Sequence, residues 1–403
     1  MIPNRSRNCR SGRIGHTMET SMTSTISRRR AGAALAGVIA LAIAGPAAAQ
    51  TVKVGVVGPL SGAAAVYGNE SLEGARFALE HLKKKGTMGS IVIDLVSDDS
   101  AGNPGKAAQS TARMISSDNV VAVIGGSTSA ETQAMVEVTK PAEVPQLSPL
   151  AQATNLTQQG NKWFARISQT ADEFASNAAV WAIERRKAKS VYLLVRNDSY
   201  GQSLADAFAK TVEAKKIKVL GRVAYEPNAR DFKPMLTTMK DAAPDFVAIM
   251  GFYTDTGLIM KQMGELGIKL PTYANTAPAI PQFQDIAGPA ANGAYGALYY
   301  FAGSINTDAG KAFLADWKAK YNREPTQYEG MGYDNMLVLA EAIKRAAAKG
   351  KVTRESVRDA IFTIKDFPGG TGPITILPNG DVKRPLPFVQ LNDGKLALDF
   401  VIE

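Results

Sequence analysis

Four short stretches hold the residues best suited to chemistry on a small molecule. They are "GPLSGAAAVYG" (58–68), "IGGSTSAETQ" (124–133), "LSPLAQATN" (147–155) and "NDSYGQ" (197–202). Each follows an apolar run and is rich in glycines, hydroxyls or aromatics. A hydroxyl beside free backbone N–H groups at a helix start can hold an anion, because the amides point outward at the positive end of the helix dipole. Ser129 is placed to do this where "SAETQ" begins a helix. Tyr67 and Tyr200 lie in turns rather than on periodic faces, so they can wall a cleft as well as pack a core.

Other chemistries fit less well. The glycines of the first turn, Gly55, Gly58 and Gly62, do not match the G-x-G-x-x-G dinucleotide spacing, and Pro59 removes a backbone donor. "GNPGKAA" lacks the Ser or Thr that follows Lys in a P-loop. The only cysteine is Cys9, and His81 is the only histidine beyond residue 49. No Ser-His-Asp relay, Cys nucleophile or Cys/His metal site can be assembled from that set. A secreted enzyme would need another nucleophile–base pair. The carboxylate pairs Asp98–Asp99 and Glu226–Asp231 read as solvated turns, and His81 as a solvated helix residue. No cofactor and no metal are expected.

The first 49 residues read as a leader. Seven arginines between Arg5 and Arg30 precede the apolar run 31–44, and Ala47–Ala49 form a small-residue cleavage site. That is the anatomy of a secretory signal peptide, and the run is short for a membrane span. Translation could start at Met1, Met18 or Met22. The leader holds seven Arg and one Glu, so the formal charge falls from +9 for the chain to +3 without it. No basic face interleaved with aromatics appears, and no nucleic-acid partner is expected.

The elements that must position the four stretches alternate regularly. Strand-like "VKVGVVG" (52–58), "IVIDLVSDD" (91–99) and "VVAVIGG" (120–126) alternate with helical 71–86 and 105–118. A second series has strands at 190–198, 218–226 and 245–253, and helices at 201–216, 232–243 and 257–267. Alternating βα units predict parallel sheets flanked by helices. The fold class is therefore α/β, with two Rossmann-like parallel-sheet halves. Long helical 328–350 and shorter 353–363 follow, and extended segments end the chain.

In order and spacing, six segments resemble the leucine/isoleucine/valine-binding family of periplasmic solute-binding proteins of ABC transporters. They are "KVGVVGPLSGAAAVYGNESLEGARFALE", "IGGSTSAETQA", "SPLAQATNLT", "NDSYGQSLADAF", the run 231–267 and "GYDNMLVLAEAI". The resemblance implies a type I periplasmic binding fold: two lobes joined by a three-strand hinge, with the ligand cleft between them. It places the first lobe at 50–169 plus 301–368 and the second at 170–300 plus 369–403. It implies a monomer in the periplasm that binds a small carboxylate ligand and docks on permease and ATPase subunits.

Residue by residue, the resemblance puts the carboxylate on Ser129, the Leu150 backbone and Gln152. Tyr67 becomes the first lobe's aromatic wall, with Tyr200 and Phe252 or Tyr253 on the second lobe. The family's amino-acid binders place a Glu after the strand matching "PTYAN" to pair with the ligand's ammonium. Here that position falls on Asn275 or Thr276. Burying an ammonium without a counter-charge is costly. Asp255 could replace it, but reads as the cap of a helix from Gly257. A carboxylate with an apolar or aromatic body, such as a benzoate or hydroxycinnamate, is therefore the favoured ligand. A branched-chain or other neutral amino acid is the alternative.

Overall fold

The structure is a computed structural model that describes residues 50–158 and 160–402. The expected leader lies outside the described residues. The first half runs β1 (Gln50–Gly58), α1 (Ala65–Lys85), β2 (Ile91–Asp99), α2 (Pro104–Ser116), β3 (Ala122–Ile124), α3 (Ser129–Thr139), β4 (Gln146–Ser148), α4 (Asn155–Gln158) and β5 (Phe164–Arg166). The second runs α5 (Ala171–Glu184), β6 (Ser190–Arg196), α6 (Ser199–Ala214), β7 (Lys218–Tyr225), α7 (Lys233–Ala242), β8 (Phe246–Met250), α8 (Tyr253–Glu265), β9 (Thr272–Tyr273), α9 (Pro281–Ala287) and β10 (Tyr295–Ala297). Helices α10 (Asp308–Tyr321), α11 (Gln327–Ala348) and α12 (Arg354–Ile361) follow. Strands β11 (Phe367–Gly369), β12 (Gly372–Ile376), β13 (Val382–Lys383), β14 (Leu386–Asn392) and β15 (Lys395–Ile402) end the chain.

The two halves repeat one wiring. The first sheet has the order β2-β1-β3-β4-β5, all parallel. In the second, β7-β6-β8-β9-β10 repeats that order in parallel, and β14 and β15 extend it antiparallel. Strands covered on both faces read as continuous apolar runs. Accordingly β8, "FVAIM", is buried at every position. The order reverses between β1 and β3 and again between β6 and β8. At such switch points the turns after neighbouring strands diverge and open a crevice.

Three crossings join the sheets: after β5, after β10 and before β14. They are tied to one another. Arg384 Nη1 donates to Ile167 O at 3.1 Å, Gln169 Nε2 to Pro385 O at 2.7 Å, and Leu298 N to Pro387 O at 2.9 Å. Arg384 also pairs with Asp334 of α11 at 3.1 Å, both side chains fully buried. The short β11–β13 sheet lies against the first sheet, where Arg166 N donates to Gly380 O.

Helices α1 and α11 cross closely because two glycines allow it. A Cβ on Gly74 would stand 1.9 Å from Glu329 O, and one on Gly332 would stand 1.9 Å from Ser71 O. This contact brings Tyr67 and Tyr328, at the heads of the two helices, to an edge-on pair 5.0 Å apart. His81 departs from the sequence expectation. It is buried, with Nδ1 2.6 Å from Tyr333 OH and Nε2 3.4 Å from Asp316. α10 and α11 cover the face of α1 that carries it. Burial, the largest cause, and the lysines beyond it hold its pKa below the usual histidine range.

Candidate functional site

A narrow cavity of about 20 Å³, room for a water or two, opens where the two switch points face each other. Tyr67, Ser127, Thr128, Ser129 and Leu150 line it from the turns after β1, β3 and β4. Tyr200, Phe252 and Thr276 come from the matching turns after β6, β8 and β9. Tyr299 from the second crossing and Tyr328 from the first turn of α11 complete the wall.

The floor is the head of α3. Thr128 is its N-cap, in a capping box with Glu131: Glu131 N donates to Thr128 Oγ1 at 3.3 Å, and Thr128 N to Glu131 Oε2 at 3.2 Å. Ser129 is the first helical residue. A helix start leaves four N–H groups without intrahelical partners. The box satisfies two of them. Those of Ser129 and Ala130 have no acceptor among the described residues. Ser129 Oγ accepts from Ala153 N at 3.1 Å, which leaves its own hydrogen free.

The walls add further donors. Tyr299 OH donates to Leu150 O at 2.8 Å, and Tyr328 OH to Thr276 Oγ1 at 3.1 Å. Tyr67 OH accepts from Tyr253 N at 3.3 Å, a bond between the two lobes, and Tyr200 OH accepts from Asn275 Nδ2. The hydroxyl hydrogens of Tyr67 and Tyr200 thus remain free to turn toward a ligand. Burial, foremost, pushes all four phenols well above their ordinary pKa, so they stay protonated. Tyr67 meets Phe252 edge-on at 5.4 Å, and Phe252 packs on Tyr200 at 5.2 Å. No lining residue carries a charge.

Of the residues expected from sequence, Tyr67, Ser129, Leu150, Tyr200, Phe252 and Thr276 meet at this cavity. Gln152 and Tyr253 are not in the lining. The Gln152 side chain is wholly buried, and neither of its amide atoms has a partner. Tyr253 opens α8, gives its N–H to Tyr67, and sets its ring edge-on to Tyr67 at 5.8 Å. Sequence reasoning missed Ser127, Thr128, Tyr299 and Tyr328. The first two lie inside a quoted turn. Tyr328 lies inside the capping-box signature Thr326-x-x-Glu329, which marks where α11 begins. Nothing local marks Tyr299.

The carboxylates singled out from the sequence are engaged. Asp255 sits in the first turn of α8, which starts at Tyr253 rather than at Gly257 as expected. It accepts from Tyr225 OH at 2.6 Å and Phe252 N at 3.3 Å, and meets Arg196 at 3.3 Å. Asp99 accepts from Leu60 N at 2.8 Å and Asp98 pairs with Arg113, while Glu226 accepts from Asn197 Nδ2. No cluster of three potential ligands for a metal occurs among the described residues.

Residues 51–395 match the family model for periplasmic binding proteins. The chain belongs to the periplasmic binding protein family. It is 28% identical to the Leu/Ile/Val-binding protein BraC3 of Rhizobium johnstonii over 325 residues, 80% of this chain and 87% of that one. It shares the fold of a leucine binding protein, LivK, from Thermotoga maritima, with TM-score 0.82, 28% identity, and coverage of 87% of this chain and 98% of that one. A solute-binding protein of R. palustris solved with 4-hydroxybenzoate has TM-score 0.77 at 23% identity, over 88% of this chain and 96% of that one. At that identity the likeness speaks for the fold alone. The periplasmic binding protein is a substrate-binding component of an ABC transporter, not an enzyme; such components bind small molecules and work with permease subunits.

Proposed function

We propose that this binding protein captures a small organic acid, preferably one with an aromatic body, between its two lobes in the periplasm. It presents the closed form to its permease and ATPase subunits and acts as a monomer. The lobes follow the two large sheets, and the residues before β1 serve export. The acid's carboxylate lies on the Ser129 and Ala130 amides and the Ser129 hydroxyl, with Thr128 and Leu150 beside it. Tyr67, Tyr200 and Phe252 pack on its body, and Thr276, Tyr299 and Tyr328 close the far side. Gln152 and Tyr253 back these walls.

One observation carries the reading: the lining offers free donors from both lobes and no carboxylate. Such a lining suits an anion, since a charge-assisted bond to a carboxylate is about twice as strong as a neutral one. A bound ammonium would lie buried without a counter-charge, because Asp255, the replacement the sequence offers on the second lobe, is already held by Arg196, Tyr225 and the Phe252 amide. The cavity is too small for such an acid as it stands. The lobes part, the ligand enters, and closure is favoured by contacts made to both lobes at once.

The names of the Leu/Ile/Val-binding relatives favour a second reading, capture of a branched-chain amino acid. A thermal-shift panel on protein refolded to strip carried-over ligand separates the two. Ligand that binds only the folded form raises the midpoint, by about 2.7 kcal/mol of stabilisation at a hundredfold excess over Kd. Shifts with benzoates or hydroxycinnamates and none with leucine or valine support an acid. The reverse pattern supports the amino acid.

A further inference from the structure

The two aromatic walls of the second lobe sit on separate helices, yet one side chain fastens both. Arg196, the last residue of β6, lies between the heads of α6 and α8. Its Nε donates to Asp198 Oδ2 at 2.6 Å, and its Nη1 meets Asp255 Oδ1 at 3.3 Å. Asp198 is the N-cap of α6 and accepts from Tyr200 N at 3.1 Å and Gly201 N at 2.9 Å. Asp255, in the first turn of α8, accepts from the amide of that helix's N-cap residue, Phe252, at 3.3 Å. The guanidinium also lies 4.2 Å from the centre of the Phe252 ring. That ring faces the cavity and packs on Tyr200 at 5.2 Å.

We infer that Arg196 is the positioning residue of the second lobe's ligand wall: it locks the caps of two helices together and so sets the spacing and tilt of Tyr200 and Phe252. The inference rests on the binding reading above for what the wall is used for. The geometry asks for arginine in particular. A planar fork satisfies two carboxylates and stacks on an aromatic face at the same time, whereas a lysine ammonium is a single point charge that engages one partner well. Arg196 is mostly buried, with 13% of its side chain exposed, between carboxylates 19% and 2% exposed, so water replaces little of what it holds. Without it, Asp255 keeps its bonds to Tyr225 OH and Phe252 N, and Asp198 keeps its cap. Each helix therefore still forms, but the charged clamp between the two heads is gone, and only the packing of Phe252 on Tyr200 and the β6–β8 pairing remain to set one against the other.

The test uses full-length processed protein labelled with 3-fluorotyrosine, in four forms: unsubstituted, Arg196→Met, Arg196→Lys and Ile343→Val. Ile343 is fully buried in α11, on the first lobe, so that substitution lowers stability without touching the wall. The ¹⁹F resonance of Tyr200 is assigned from its loss in Tyr200→Phe. In ligand-free protein, Arg196→Met moves and broadens this resonance, Arg196→Lys does so to a smaller extent, and Ile343→Val leaves it in place. For whichever acid the unsubstituted protein binds by calorimetry, Arg196→Met weakens affinity at least tenfold and Ile343→Val by less than twofold. A Tyr200 resonance that stays put in Arg196→Met, or one that moves with affinity unchanged, overturns the inference. Should Arg196→Met not fold, Arg196→Lys is judged by the same two readouts. If the unsubstituted protein binds no acid, the proposed function fails, and the ligand-free Tyr200 resonance still decides whether Arg196 sets the wall.

Discussion

Glu70 offers a prediction whose size can be worked from the structure. It lies one helical turn beyond Tyr67 on α1, and its Oε2 accepts from Thr326 Oγ1 at 2.6 Å. Thr326 is the N-cap of α11, just ahead of Tyr328, and the neighbouring Glu329 is paired with Arg323. Burial, the main cause, and the Glu329 charge push the Glu70 carboxyl up from an ordinary 4.5 to about 7. A raised carboxylate pKa means that the folded protein holds the proton more tightly than the unfolded chain does. The group therefore costs nothing well below pH 4.5. The cost builds as pH rises and is complete above pH 7. A shift of this size corresponds to about 3 kcal/mol at pH 8 and about 0.4 kcal/mol at pH 4.5, at 1.36 kcal/mol per pH unit. Glu70→Gln keeps an acceptor for Thr326 and never ionises. Urea unfolding of the two proteins at pH 4.5 and pH 8 should show near-equal stability at the lower pH. At the higher pH the variant should be the more stable by up to about 3 kcal/mol. A difference that is the same at both pH values, or a variant less stable at pH 8, refutes the reasoning.

Ser129→Ala removes a hydroxyl from the proposed carboxylate floor and strands the Ala153 amide that bonds to it. Affinity for the bound acid should fall roughly 10- to 100-fold, the worth of one hydrogen bond to a charge, read by calorimetry. Asp334→Asn leaves Arg384 without its carboxylate in a fully buried setting at the third crossing. Removing one partner of a buried pair costs about 3–5 kcal/mol, and the thermal midpoint should drop accordingly. An unchanged midpoint would mean that the crossing is not held by this pair.

Much of the fold is legible because strand runs and helical runs alternate. Buried parallel strands must be continuously apolar, so "SVYLLVR" and "FVAIM" stand out by composition alone. α10 is a harder case. Gly310, Phe313 and Trp317 are its buried positions and share one face, yet in "DAGKAFLADWKAKY" alanines and charges are spread around the rest of the helix, and sequence reading names no helix there. The turns at the switch points announce themselves because glycine, hydroxyls and aromatics crowd strand ends, where core packing has no use for them. What adjacent residues do in such a turn is not announced. Phe252 and Tyr253 are neighbours, and only the start of α8 decides that the Phe252 ring lines the cavity while Tyr253 contributes its amide. Tyr299 and Tyr328 reach the site from a crossing and from a helix that docks through Gly74 and Gly332, contacts far apart in sequence. His81 was misread for the same reason, since its burial depends on α10 and α11 rather than on its own helix.

On the proposed function, the cleft binds a carboxylate and has no place for an ammonium. The most direct test is isothermal titration calorimetry of unfolded-and-refolded, ligand-stripped protein with two molecules that differ only in that group: 3-phenylpropanoate and phenylalanine. The deaminated acid should bind at least tenfold more tightly, since the amino acid must bury an uncompensated charge. Tighter binding of phenylalanine would contradict it and would require a carboxylate, Asp255 foremost, to leave its present partners and enter the cleft.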